Sequence, residues 1–231
     1  MVMGKTYNIA VDGPAGAGKS TIAKKVAKEL NFIYVDTGAM YRSMALYFLR
    51  KNISADDEVS VAAACAEIAI TISYEDGVQQ VYLNGENVSG LIRTEEVGNM
   101  ASAVSAYRPV REKLLELQQD MAARENVIMD GRDIGTCVLP HADTKIYLTA
   151  SSRVRAERRH KELIEKGIRC NLEEIEQDII ERDRRDMSRE IAPLKQAEDA
   201  VLVDASEMTI EEVAARIVEI AKEHGLGELG V

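Results

Sequence analysis

A chain of 231 residues with 46% hydrophobic residues can build one packed domain with a sizeable insertion, and no apolar run nears the roughly 18 residues of a membrane span. Its 29 basic and 39 acidic residues give a net charge of -10, which opposes non-specific attraction to nucleic acid or anionic lipid, so any anionic ligand must be met by local clusters of arginine. Cys65, Cys137 and Cys170 are odd in number and far apart, which argues against a disulfide framework or zinc knuckle and for a reducing cytoplasm.

Lys5 and the short apolar segment Tyr7 to Val11 lack the length and cleavage site of a signal peptide, so the chain is expected to open on a strand, Tyr7 to Asp12. A helix from about Lys19, a strand from Phe32 to Asp36 and a helix through Tyr41 to Leu49 follow. That alternation implies βαβ units and a parallel sheet. Residues from about 66 to 105 break the pattern: Ile68 to Ser73 and Gln80 to Asn84 flank Glu75-Asp76-Gly77 and read as an antiparallel hairpin in a small insertion. Strands at Asn126 to Asp130, Lys145 to Thr149 and Ala200 to Asp204 bring the parallel set to five. Between the last two, 11 basic and 10 acidic residues from Arg153 to Arg189 suggest a solvated helical pair. Thr209 and Glu212 carry a capping-box signature for a final helix whose Val213, Ile217 and Ile220 share one face. The expected fold class is α/β: a doubly wound five-stranded parallel sheet with a small α+β insertion domain.

Gly13-Pro14-Ala15-Gly16-Ala17-Gly18-Lys19-Ser20 follows the first strand and opens the first helix, the context in which successive backbone N-H groups converge on phosphates. Lys19 would neutralise the β- and γ-phosphates of ATP, and the Ser20 hydroxyl would join the coordination shell of Mg²⁺. A glycine-rich turn before an ordinary helix is the plainer alternative; both flanking elements and the Lys-Ser pair weigh against it. A dinucleotide fingerprint is disfavoured because Thr21 stands where its last glycine belongs. Asp130 ends an apolar strand and could sit beside the Mg²⁺ and its waters, although Asp36 and Asp204 end strands in the same way and a turn residue is the competing reading.

A second anion site is expected across the crevice. Arg42, in Asp36-Thr37-Gly38-Ala39-Met40-Tyr41-Arg42, and Arg132, after Asp130, both follow strand ends that face the ligand crevice of open α/β sheets. Two guanidinium groups there could hold a phosphate; surface ion pairs are the alternative. On a helix over roughly Leu172 to Arg189, the spacing puts Arg182, Arg185, Asp186 and Arg189 on one face, as cations around a transferring phosphoryl group or as a merely solvated surface. If the acceptor is itself a phosphate, its oxygen is ionised near neutral pH and no general base is needed. His141, His160 and His224 show no metal-ligand spacing.

The segments Asp12 to Ser20, Asp36 to Arg42, Asp130-Gly131-Arg132-Asp133-Ile134-Gly135-Thr136 and Ile191-Ala192-Pro193-Leu194 resemble bacterial cytidylate kinases over nearly the whole chain. The resemblance implies a P-loop kinase core, ATP as phosphoryl donor with Mg²⁺, and CMP or dCMP as acceptor, by direct in-line transfer with no general base. ATP binding would fall to Gly13, Pro14, Ala15, Gly16, Ala17, Gly18, Lys19, Ser20 and Thr21. Lys19, Arg42, Arg132 and Arg182 would be catalytic. Arg42 and Arg132, with Thr37 close by, would hold the acceptor phosphate; Arg182 and Asp186 would lie near the ribose; Ser102, Arg111, Asp133 and Arg189 would surround the cytosine. Independently, a carboxylate such as Asp133 can accept from cytosine N4 while meeting uracil O4 unfavourably. Arg111 has an alternative as a plain exposed residue beside the stripe Val110, Leu114, Leu117 and Met121.

The implied plan is a single kinase domain over 1–231, with core segments 1–36, 126–152 and 190–231. The monophosphate-binding region and insert would occupy 37–125, the hairpin about 66–90, and a short helical lid with arginine-rich helices about 153–189. Within the lid, Gly167 would be a turn, and Ser151 to Glu165 also reads as an ordinary helix. Arg153, Arg155, Arg158 and Arg159 are not separable by spacing as ATP contacts. A monomer acting on small-molecule substrates, without nucleic-acid or membrane partners, is the expected form.

Overall fold

The computed structural model describes residues 6–229, so Lys5 and the outermost ends of the core segments 1–36 and 190–231 lie outside the described residues. Five strands, β1 (Asn8–Asp12), β2 (Ile33–Asp36), β6 (Val127–Asp130), β7 (Thr144–Thr149) and β8 (Val201–Asp204), form one parallel sheet in the order β2-β6-β1-β7-β8. Neighbouring side chains on a strand point to opposite faces. Ile9, Val11 and Ile128 therefore enter one core, with α1 (Lys19–Leu30) and α8 (Ile210–Glu223), while Ala10, Val127 and Met129 enter a second core on the other face. That second core is covered by α2 (Thr37–Arg50) and α5 (Arg108–Arg124). The sheet is thus doubly wound.

Local chemistry fixes the ends of these helices. Asp36 caps α2 by accepting from Ala39 N, and Thr209 and Glu212 close a full capping box on α8. Between α2 and β6 lie α3 (Glu58–Ala64), the antiparallel strands β3 (Ile70–Glu75), β4 (Val78–Leu83) and the short β5 (Glu86–Asn87), then α4 (Glu95–Val104). Asp76 and Gly77 turn the β3–β4 hairpin with φ of 50° and 75°, the positive pair that an Asp-Gly turn accommodates. β5 is too short to leave a sequence pattern.

Two further helices, α6 (Ser152–Glu165) and α7 (Leu172–Met187), follow β7 and pack against each other, with Gly167 at φ 73° in the turn between them. The expected continuation of α7 to Arg189 is corrected: the helix stops at Met187, and the chain bends so that Leu194 N donates to Asp186 O at 2.8 Å. Pro193 cannot extend a helix, and Ala192 takes φ 50°. Among the described residues no helix is long and apolar enough to cross a membrane.

Candidate active site

Three buried aspartates end adjacent strands: Asp36 on β2, Asp130 on β6 and Asp12 on β1. Parallel register sets Asp36 beside Asp130. Between β1 and α1 the loop bends through Gly13, Gly16 and Gly18 at positive φ and encloses Lys19, which is buried and donates Nζ to Pro14 O at 2.8 Å. Burial, and next the Arg132 guanidinium, push the Lys19 ammonium well below its ordinary pKa.

Ser20 Oγ donates to Asp130 Oδ2 at 2.8 Å and the Tyr34 hydroxyl to Oδ1 at 2.9 Å. Burial, and then the Asp36 charge, still raise the Asp130 carboxyl. Asp12 accepts the backbone N-H groups of Ile134 and Gly135 at 2.8 and 2.7 Å, yet burial lifts its carboxyl to about 7. Asp12 thereby ties the phosphate loop to the π-helical turn Ile134–Val138 and to the Arg132-Asp133 pair ahead of it.

On the other side of a cleft of about 370 Å³ stand Arg42, Arg93, Arg111, Arg132, Arg182 and Arg189. Arg132 Nε and Arg189 Nη2 converge on the two oxygens of buried Asp186, at 3.0 and 2.5 Å. Burial alone would raise that carboxyl, but Arg132, Arg189 and Arg182 together hold it below the usual range. Arg111 pairs with Asp133 Oδ2, donates Nη1 to Ser105 O at 3.1 Å, and lies 5.7 Å over the Tyr41 ring.

Two of the six have no carboxylate partner among the described residues. Arg42 Nη1 rests on the carbonyls of Ile92 and Thr94 at 3.3 and 3.4 Å, in a space open because residue 98 is glycine: a Cβ there would stand 2.9 Å from Nη1. Burial, then Arg93, lower its pKa. Arg182 Nε is buried without a hydrogen-bond partner among the described residues, and burial followed by Arg132 lowers this guanidinium to about 10. An unpaired buried donor is costly. Two guanidinium groups without a carboxylate partner among the described residues thus stand in the cleft that the phosphate loop lines.

A family model described as cytidylate kinase matches residues 9–223. A cytidylate kinase from Bacillus cytotoxicus is 48% identical over 96% of this chain and 98% of its own length, and one from Lactobacillus johnsonii is 51% identical over 92% of each. The chain belongs to the cytidylate kinase family. An uncharacterized protein from Eubacterium ventriosum shares the fold alone, with a TM-score of 0.54 at 9% identity over 94% of this chain and 99% of that one.

In this family member, most residues singled out from sequence line one cleft: Ala15, Gly16, Gly18, Lys19, Ser20, Thr21 and Asp130, with Thr37, Arg42, Ser102, Arg111, Arg132, Asp133, Arg182, Asp186 and Arg189; Gly13, Pro14 and Ala17 do not line it. Arg185 does not join them and is exposed on α7, while Arg189 reaches in from beyond the helix end. The alternative for Arg111 fails, since its side chain is only 12% exposed. Ser102 offers its carbonyl to Arg189 Nη2 at 3.3 Å.

Sequence reasoning missed Arg93 and left Arg155 open among four arginines. Arg93 lines the cleft and pairs with Asp36 Oδ2 at 2.5 Å. Arg155 is buried and donates Nη1 to Ala15 O in the phosphate loop at 2.9 Å and Nη2 to Asp183 Oδ2 at 2.6 Å. Of the four arginines left open at the start of α6, it is the one that braces the loop; Arg153 is spent on Glu157, Glu173 and Glu176, and Arg158 on Ala205 O. Its partner stands 28 positions away on another helix, a separation that carries no local signal.

Proposed function

We propose that this protein transfers the γ-phosphoryl group of ATP to CMP or dCMP, giving ADP and CDP or dCDP. The observation that carries the reading is the pairing of a phosphate loop with Arg42 and Arg182, two half-buried guanidinium groups lacking carboxylate partners among the described residues, across one cleft. A second phosphate supplies what they lack. A phosphate monoester loses its second proton near pH 6, so the acceptor oxygen is an anion at neutral pH and attacks the γ-phosphorus without a general base. One P–O bond forms as the bond to the β-γ bridging oxygen breaks, and the leaving ADP carries off the electron pair.

Each residue has a role in this account. The loop from Gly13 to Thr21 cradles the donor phosphates with backbone N-H groups, and Lys19 neutralises them. Arg42 and Arg132, with Thr37, orient the acceptor phosphate, and Arg182 spans acceptor and transferring group. Asp186 sets Arg132 and Arg189 by accepting from both, near the ribose. Asp133, held by Arg111 through Oδ2, keeps Oδ1 for the cytosine amino group; Ser102, Arg111 and Arg189 line the base pocket beside it. Uracil would set a carbonyl against that carboxylate.

Mg²⁺ fits the donor end. A hydroxyl and a carboxylate, Ser20 and Asp130, already stand 2.8 Å apart, and the raised Asp130 carboxyl marks a buried negative charge that a hard cation would compensate. Held there, the ion would neutralise charge on the donor phosphates. Helices α6 and α7 act as a lid whose closure keeps water from the γ-phosphate. The working form is a monomer in a reducing cytoplasm acting on nucleotides, without nucleic-acid or membrane partners.

Incubation with MgATP and each of CMP, dCMP, UMP, AMP and GMP tests the reading. CMP and dCMP are expected to turn over fastest. Turnover of AMP or UMP with none of CMP would contradict it.

A further inference from the structure

Strand β2 lies at the edge of the parallel sheet, so β6 pairs with one side and the other side has open backbone groups. Such an edge needs cover. The inserted hairpin provides it through Tyr74 and Gln79, which face each other across the β3–β4 ladder. Gln79 Oε1 accepts from Asp36 N at 2.9 Å, and its Nε2 donates to Asp36 O at 3.2 Å. The Tyr74 hydroxyl donates to Tyr34 O at 3.0 Å. The carboxamide thus reproduces the two bonds that a residue of a neighbouring strand would make.

A second grip falls on the same residue. Arg93, between β5 and α4, donates Nη2 to Asp36 Oδ2 at 2.5 Å, while Oδ1 caps α2 by accepting from Ala39 N at 2.9 Å. All four polar groups of Asp36 are therefore engaged, three of them by residues of the inserted segment. Thr37, the next residue, donates Oγ1 to Asp130 O at 2.7 Å, so the start of α2 is fixed from both sides. Cover for an exposed edge would not require one residue to be held by its amide, its carbonyl and its carboxylate together.

We propose that Asp36 is the anchor through which the inserted segment positions the acceptor site, with Gln79 and Arg93 as its positioning residues. The proposal rests on the reading that Thr37 and Arg42 receive the monophosphate, because both belong to the first turns of the helix that Asp36 caps. Among the described residues the phosphate loop shares no hydrogen bond with Gln79 or Arg93, and the route from this joint to the donor side runs through Asp130, which accepts from Ser20 by its carboxylate and from Thr37 by its carbonyl.

Amide hydrogen exchange at Asp36 in the nucleotide-free protein reads the anchor alone, and CMP kinetics read what it positions. Gln79→Ala is expected to speed exchange at Asp36 about tenfold or more. The same variant is expected to raise KM for CMP about tenfold while leaving KM for ATP within about twofold. Arg93→Ala should raise KM for CMP similarly, and Arg93→Lys should recover most of the loss, because a lysine can still pair with the carboxylate. Val78→Ser, at a hairpin position 56% exposed, is expected to change neither quantity. Unchanged Asp36 exchange in Gln79→Ala would overturn the anchor. Equal rises in KM for CMP and ATP would overturn the positioning role by showing general destabilisation. Absence of CMP turnover in the parent enzyme would sink the functional reading, and the positioning role with it, whereas the exchange result would still stand or fall by itself.

Discussion

On the phosphate-loop side of the cleft the surface is backbone. Gly13, at φ 146°, passes so close to β7 that a Cβ would lie 1.9 Å from Leu148 O, and Gly16 and Gly18 also need positive φ. On the opposite side the surface is side chains: Arg42 from α2, Arg111 from α5, Arg132 from the turn after β6, Arg182 from α7 and Arg189 from the loop beyond it. Asp133 and Asp186 hold three of these, and two have no carboxylate partner among the described residues. A backbone site depends on conformation and tolerates many side chains. A side-chain site depends on which distant segments the fold brings together, and it can be changed one group at a time.

That contrast can be broken by substitution. The largest effect is expected for Arg182→Ala: kcat lower by about a hundredfold to a thousandfold with KM for ATP little changed, measured by steady-state kinetics. A comparable loss of ATP affinity would show that the halves are not separable. Gly13→Ala should act on the fold instead, costing about 3 kcal/mol or more in urea denaturation, since the added carbon meets backbone that cannot yield.

Asp12 joins the two sides and should register in pH dependence. Its folded-state carboxyl, raised by burial to about 7, binds a proton more tightly than the unfolded one, so the parent loses stability as pH rises from about 4 to about 7 and levels off above. Asp12→Asn cannot ionise. Its deficit against the parent should narrow over that window by on the order of 1 to 3 kcal/mol; a constant deficit would mean that Asp12 does not titrate there. The smallest effect is a matter of selectivity: Asp133→Asn should cut the preference for CMP over UMP by about tenfold, and an unaltered ratio would remove Asp133 from base reading.

The same contrast explains what the sequence discloses. The five strands, the Asp-Gly turn and the α8 capping box are written in neighbouring residues, as is the phosphate loop. Arg42 and Arg132 were legible because strand ends predict where a crevice opens. Arg93 was not, and Arg155 stayed undecided among four arginines, because each acts through a partner, Asp36 or Asp183, fixed only by tertiary packing. Helical spacing also overextended α7 to Arg189, since a charge pattern does not register the bend before Pro193. Spacing likewise gave Arg185 the same standing as Arg182, although only Arg182 faces the cleft.

The central claim is that a donor-phosphate site of backbone and an acceptor-phosphate site of arginines form one continuous track. Calorimetric titration with adenosine and cytidine joined through a polyphosphate chain tests it most directly. One molecule should bind per chain, more tightly than ATP or CMP alone, and Lys19→Ala and Arg42→Ala should each weaken it. Binding no tighter than ATP, and indifferent to Arg42→Ala, would contradict the account.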